Sequence, residues 1–130
     1  MFEKGLRNLI INDATVGPLA GDRVRPIMLP EGSTLPAMVF TVVATTPLAS
    51  MDGVNALQTK RVQIDCYAAN APAAKQLAAA LHNLLDGYKG TLSEGTLVMS
   101  SLPDQDVDSF EYDPQMFRIA CDFTVKFIES

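Results

Sequence analysis

The sequence predicts an α+β fold: a two-layer sandwich in which a mainly antiparallel four-stranded sheet carries two helices on one face, in the order α-β-β-α-β-β. Three observations predict it. The stretch Phe117 to Ile128 alternates strictly, with Phe117, Ile119, Cys121, Phe123, Val125 and Phe127 on one parity and Arg118, Ala120, Asp122, Thr124 and Lys126 on the other. Side chains alternate faces along a strand, so this is one long strand with an apolar face that must be covered. Residues 70–86 place Leu77, Leu81, Leu84 and Leu85 on one helical stripe, which can supply the cover. Two β-rich stretches, 37–46 and 57–68, complete the sheet, and the short connections between paired strands make it antiparallel.

The elements follow in chain order. Residues 2–11 put Phe2, Leu6, Leu9 and Ile10 on one helical face and Glu3, Lys4, Arg7 and Asn8 on the other, so they form a short amphipathic helix ending near Asn12 and Asp13. Gly5 costs it up to ~1 kcal/mol relative to alanine, so it needs tertiary packing. Residues 14–36 carry the turn signals Gly17-Pro18 and Gly21-Asp22, then Pro26, Pro30 and Pro36; they read as an extended arm. Strand 37–46 is apolar on both parities: Met38, Phe40 and Val42 against Val39 and Val43. That implies burial on both faces, or an outer face that meets another chain. The ten-residue connection 47–56 is long for a hairpin and projects. In 57–68, Val62, Ile64 and Cys66 alternate with Arg61, Gln63 and Asp65. Asn70 caps the second helix, Pro72 fits its first turn, its alanines favour helix and close approach, and Gly87 ends it in a left-handed conformation. A third strand spans about Thr96–Ser101, and Pro103–Pro114 reads as a projecting acidic loop.

The 130 residues make a single domain, 1–130, with 48% apolar and 19% charged residues, a globular rather than a disordered composition. The net charge of -5 and pI near 4.6 argue against sequence-reading of nucleic acid and against binding to an anionic membrane. Cys66 and Cys121 lie at apolar strand positions without zinc-type spacing. They read as buried reduced thiols, with a bridge between neighbouring strands as the alternative. No secretion leader and no apolar run of the ~18 residues a membrane span needs is visible, which suggests a soluble protein of a reducing cytoplasm.

Chemistry-bearing constellations are sparse. Asp104, Asp106, Asp108, Glu111 and Asp113 form an acidic cluster whose first three members have calcium-loop spacing. Ser109 then stands where that loop needs glycine, and Gln115 where it needs a closing glutamate. A solvated, self-repelling loop is the plain reading; weak cation binding and docking to a basic partner surface are the others. His82 is the one histidine and reads as a surface or half-buried helix residue, with no spacing that joins it to the acidic cluster. Ser100 and Ser101 sit in no nucleophile elbow, and no phosphate-cradling glycine motif is present. Arg23 and Arg25 read as an anion-binding pair, or as solvated or ion-paired residues of the arm. The expectation is therefore a non-enzyme with no catalytic residue, cofactor or metal. Arg23, Arg25, Met51, Asp52, Asp104, Asp106 and Asp108 are the candidates for subunit or partner contact.

Four stretches, in order and spacing, resemble the tail-completion proteins of tailed bacteriophages, also described as tail terminators or head-to-tail joining proteins. The first is the N-terminal helix followed by Val16, Leu19 and Gly21. The second is Arg23-Val24-Arg25-Pro26 with Leu29-Pro30, Gly32 and Leu35-Pro36. The third runs from Arg61 to Ala68 and into the alanine-rich helix, and the fourth is Tyr112-Asp113 ahead of Arg118 and Asp122-Phe123. The family often has an aromatic where Arg25 and Ala37 stand. The resemblance implies a ring, typically of six subunits, in the tail-neck region of the virion. Such a ring caps the tail tube, stops its polymerisation and meets the head connector or neck protein. DNA passes through without being read. Two other readings remain at this stage. A small-molecule-binding regulatory module needs a ligand-sized cavity between helices and sheet, and a small enzyme needs a pocket joining His82, the acidic cluster or Arg23.

Overall fold

The computed structural model describes residues 2–14, 16, 19, 23–26, 35–47, 58–92, 96–112 and 115–129. The elements are α1 (Phe2–Ile11), β1 (Val24–Pro26), β2 (Ala37–Pro47), β3 (Gln58–Ala68), α2 (Ala71–Leu85), β4 (Gly90–Thr91), β5 (Thr96–Tyr112) and β6 (Gln115–Glu129). Among the described residues they build one six-stranded sheet in the order β1-β2-β3-β6-β5-β4. The four predicted strands are its middle. Two short strands extend the expected sheet: β1, which pairs parallel to β2, and β4, which pairs with the start of β5.

β6 lies at the centre and pairs antiparallel on both sides. Val62 faces Phe123 and Ile64 faces Cys121 across β3, while Asp106 faces Cys121 and Asp108 faces Ile119 across β5. Its apolar parity is the core: Ile119, Cys121, Phe123, Val125 and Phe127 are all buried. Val62, Ile64 and Cys66 join them from β3, and Met38 and Phe40 from β2. α2 covers this surface with Leu77, Leu81 and Leu85, and the alanines Ala74, Ala78 and Ala80 let its axis approach the sheet. α1 adds Leu6 and Ile10 to the same core.

The local chemistry of α2 follows its sequence. The Asn70 side chain accepts a hydrogen bond from the Ala73 amide at 2.8 Å, satisfying a donor that the first turn leaves open. Gly87, at φ +73, turns the chain away past the Asp86 cap, and its amide donates to the Ser101 carbonyl at 2.7 Å. Lys60 reaches from the helix-facing side of β3 to Glu3 of α1 at 2.9 Å and lies 5.6 Å from the Phe127 ring centroid, tying α1 to the sheet.

Two expectations change. β5 does not stop at Ser101: it continues to Tyr112, so the predicted acidic loop Pro103–Pro114 is mostly strand. The reason is backbone pairing. β6 extends to Gln115, and its amides and carbonyls on that side need partners that only the preceding segment supplies. This outweighs the low strand propensity of aspartate. Pro103 is tolerated because it lies at a bulge, between the Pro103 and Gln105 pairings, on a strand whose other side carries no neighbour there among the described residues. β2 is the second case. Val39 is buried as well as Met38 and Phe40, but Val43 is 49% exposed, so burial on both faces holds only for its first half.

Two measurements check this packing. Leu81→Ala, which empties a fully buried position under α2, is expected to destabilise the fold by about 2–5 kcal/mol in denaturant titration. Burial raises the Glu3 carboxyl pKa and its Lys60 bond and charge lower it, with a net lowering from 4.5. A depressed carboxylate adds stability above its unfolded pKa and loses it as pH falls through the folded one. Unfolding followed from pH 7 downward is therefore expected to show a loss below about pH 4.5 that Glu3→Gln makes smaller.

Candidate functional site

The chemistry of this chain collects on β5 and on the two faces it shares with β6. The bulge between Pro103 and Gln105 decides which aspartate faces which way. Asp106 and Asp108 are paired with Cys121 and Ile119, on the helix side of the sheet. Asp104, in the bulge, instead accepts from the Thr124 hydroxyl at 2.6 Å and lies 3.8 Å from Arg61, on the opposite face. The calcium-type spacing of Asp104, Asp106 and Asp108 is thus broken in space, and Ser109 and Gln115 are strand residues rather than positions of a loop.

On the helix side, strand and helix periodicities meet. Asp106 and Asp108 are two residues apart on one strand face, and Lys75 and His82 are two turns apart on one helix face. Lys75 Nζ donates to Asp108 at 3.0 Å. His82 is held at both ring nitrogens: Nδ1 lies 2.8 Å from Asp86 Oδ1, and Nε2 lies 2.8 and 3.0 Å from the two oxygens of Asp106. Partial burial pulls its pKa down, but the two carboxylates more than reverse this and push it up to about 9. The imidazolium that results stacks obliquely on Phe123, with centroids 5.2 Å apart. Beneath it, Cys121 and Cys66 are buried free thiols. The Cys66 neighbour, then burial, raises the Cys121 pKa and keeps it protonated. The expectation that no arrangement joins His82 to the acidic cluster is therefore corrected. They meet across 24 residues of sequence, which no local spacing reports. The one signal on offer was Asp86, four residues after His82 on the same helix.

The outer face of the sheet carries a second network. Arg118 bonds Asp65 at 3.1 Å, Gln63 donates to Asp65 at 3.0 Å, Arg61 bonds Asp122 at 3.2 Å, and Gln105 donates to Asp122 at 3.3 Å. Asp65 and Asp122 are buried, although neither described helix packs on this face. Next to the network, β5 exposes Leu97, Met99, Leu102 and Val107. From Ser100 onward its free side also has no pairing strand among the described residues.

The remaining candidates separate from this surface. Arg23 braces the arm: Nε donates to the Pro36 carbonyl at 2.8 Å and an amino group to the Leu19 carbonyl at 3.3 Å, which engages two of its five N–H donors with backbone. Arg25 lies in β1 opposite Val39, at the other edge of the sheet from β5 and β4. Met51 and Asp52, with the predicted projection 47–56 apart from the Pro47 strand end, lie outside the described residues.

The cavities among the described residues are small in the core and open at the surface. A cavity between α1, the end of α2 and the sheet, lined by Leu6, Leu85, Val98 and Val125, holds about 10 Å³. That is barely one water. A groove of about 390 Å³ runs along α1, but its one carboxylate, Asp13, accepts from the Val16 amide. His82, Asp106 and Asp108 line an open groove of about 240 Å³ beside Lys75 and Ile119.

The described core of this domain is well filled, and the polar groups of β5 and β6 are engaged largely in pairs across strands and to α2. Comparison with known proteins gives its family. The family described as Tail completion protein gp17 matches residues 4–127, and the chain belongs to that family. It is thus a structural protein of the phage tail. A chain from the virion of a native gene transfer agent particle has the same fold, with a TM-score of 0.68 at 20% identity over 93% of this chain and 90% of that one. No curated protein sequence matches.

Asp65→Ala removes the buried partner of Arg118. It is expected to cost about 1–3 kcal/mol, less than a fully buried pair because Arg118 keeps 29% of its side chain exposed; thermal unfolding checks it.

Proposed function

We propose that copies of this chain close into a ring, of six subunits, that caps the finished tail tube, stops its polymerisation and offers its other face to the head connector or neck protein. The ring is assembled in the host cytoplasm and sits in the tail-neck region of the virion. Membership of the tail-completion family supports this reading. The observation that carries it is the bare side of β5. A strand whose side past Ser101 has no pairing neighbour among the described residues, with Leu102 and Val107 56% and 51% accessible, is a hazard in an isolated monomer. A ring removes the hazard by covering each subunit's surface with its neighbour. The net charge of -5 suits a passage that lets DNA through without gripping it. Asp104, Asp106 and Asp108 act in this scheme by bracing the hairpin. They hold it to Arg61, His82 and Lys75, so that the surface presented to a neighbour is rigid.

Light scattering coupled to size-exclusion chromatography, with electron microscopy of the protein mixed with tail tubes, is expected to show rings and caps at one tube end. Leu102→Glu with Val107→Glu is expected to abolish both while shifting monomer stability by no more than about 0.5 kcal/mol per site, as for other surface changes. Unchanged rings in this variant, or tails of normal length that accept heads without the protein, overturn the reading. A strongly electropositive lumen in the assembled ring contradicts the account of DNA passage.

A further inference from the structure

We propose that His82, Asp106 and Cys121 form a site for a divalent transition-metal ion, Zn²⁺ by the chemistry of the donors, with Asp86 orienting the imidazole. Nothing in the tail-capping role calls for it. The ring nitrogen, a carboxylate oxygen and the sulfur all lie within 4.8 Å of one another. Three elements bring them together: His82 from α2, Asp106 from β5 and Cys121 from β6, the last two being direct partners across the strands.

Four features distinguish this cluster from a chance acidic patch. The first is the donor set. Nitrogen, sulfur and one carboxylate oxygen suit a borderline-soft ion, whereas calcium and magnesium prefer oxygen alone. The second is the hydrogen bond from Nδ1 to Asp86 at 2.8 Å, which leaves Nε2 aimed at Asp106. A carboxylate behind a ligating histidine is the usual outer arrangement of such sites. The third is access: His82 and Asp106 line the open groove of about 240 Å³, so an ion can enter and keep a water at its fourth position. The fourth is distance. Ligands on a tetrahedral zinc ion lie roughly 3.3–3.5 Å apart, given zinc–ligand lengths of about 2.0–2.3 Å. His82 Nε2 and Asp106 are now 2.8 Å apart, sharing a proton. Replacing that proton with an ion needs these two side chains to part by a few tenths of an ångström and the Cys121 sulfur, within 4.8 Å of them, to close by up to about 1 Å; His82 and Asp106, exposed at 22% and 39%, have the freedom to make the adjustment. Cys121 then gives up its thiol proton to become the third ligand. Lys75 at the groove rim is already paired with Asp108, which limits its repulsion of the ion.

The test uses the full chain, stripped with a chelator and titrated first with Co²⁺ and then with Zn²⁺. The expected result is one ion per chain and a thiolate-to-cobalt charge-transfer absorption that Zn²⁺ abolishes. Cys121→Ser is expected to lose the absorption, His82→Gln to weaken binding by about 100-fold, and Asp86→Asn to weaken it by about 10–100-fold. Should Cys121→Ser fail to fold, His82→Gln, at a half-buried helix position, carries the decision. Absence of the charge-transfer absorption in the unsubstituted protein, or unchanged affinity in His82→Gln, overturns the site and leaves ion binding to surface carboxylates.

Discussion

The two-sided backbone pairing of β6 is the constraint on which the rest depends. It sits between β3 and β5, so its amides and carbonyls are satisfied only if both neighbours run alongside it. Its alternating sequence then sorts the molecule into two sides. Phe123, Cys121 and Phe127 define the face that α1 and α2 must cover, and Asp122 and Arg118 define the face that must find polar partners. A slip of one residue would exchange these sets, placing Asp122 under α2 and Phe123 in water. The register is therefore held by chemistry on both faces.

The same pairing explains how an acidic segment is kept ordered. Asp104, Asp106 and Asp108 repel one another, yet each has a cation or a hydroxyl within reach: Arg61 and Thr124, His82, and Lys75. Individually such exposed pairs contribute little. Their effect here is geometric, since they join β5 to α2 on one side and to β3 on the other. The bulge at Asp104 is what allows a single run of alternating aspartates to serve both faces.

The functional character follows from where free energy and space are placed. The interior is filled by leucine, valine, isoleucine, phenylalanine and alanine, and the cavities of about 10 and 30 Å³ between helices and sheet are small. What remains is on the outside: exposed apolar residues on β5 and, past Ser101, a strand side that carries no pairing strand among the described residues. Those features are found here in a structural protein of the phage tail.

The sequence by itself determined every element whose signal is periodic. Both helices, the caps at Asn70 and Gly87, the strands 37–46 and 57–68 and the two parities of β6 follow from spacing alone, because burial on one face imposes a period of 2.0 or 3.6. β2, β3, β6, the start of β5 and the helix layer were legible in this way, while the family resemblance drew also on the arm from Val16 to Pro36 and on Tyr112-Asp113. Only the tertiary structure decided the fate of 103–112, the two short strands and the meeting of His82 with Asp106 and Cys121. Aspartates and a proline give a local signal for loop, whereas the deciding interaction was the hydrogen-bonding demand of a strand that comes later in the chain. The histidine cluster draws on a helix and two strands. Its members are neighbours because of how the layers stack, and a one-dimensional pattern carries no record of that distance.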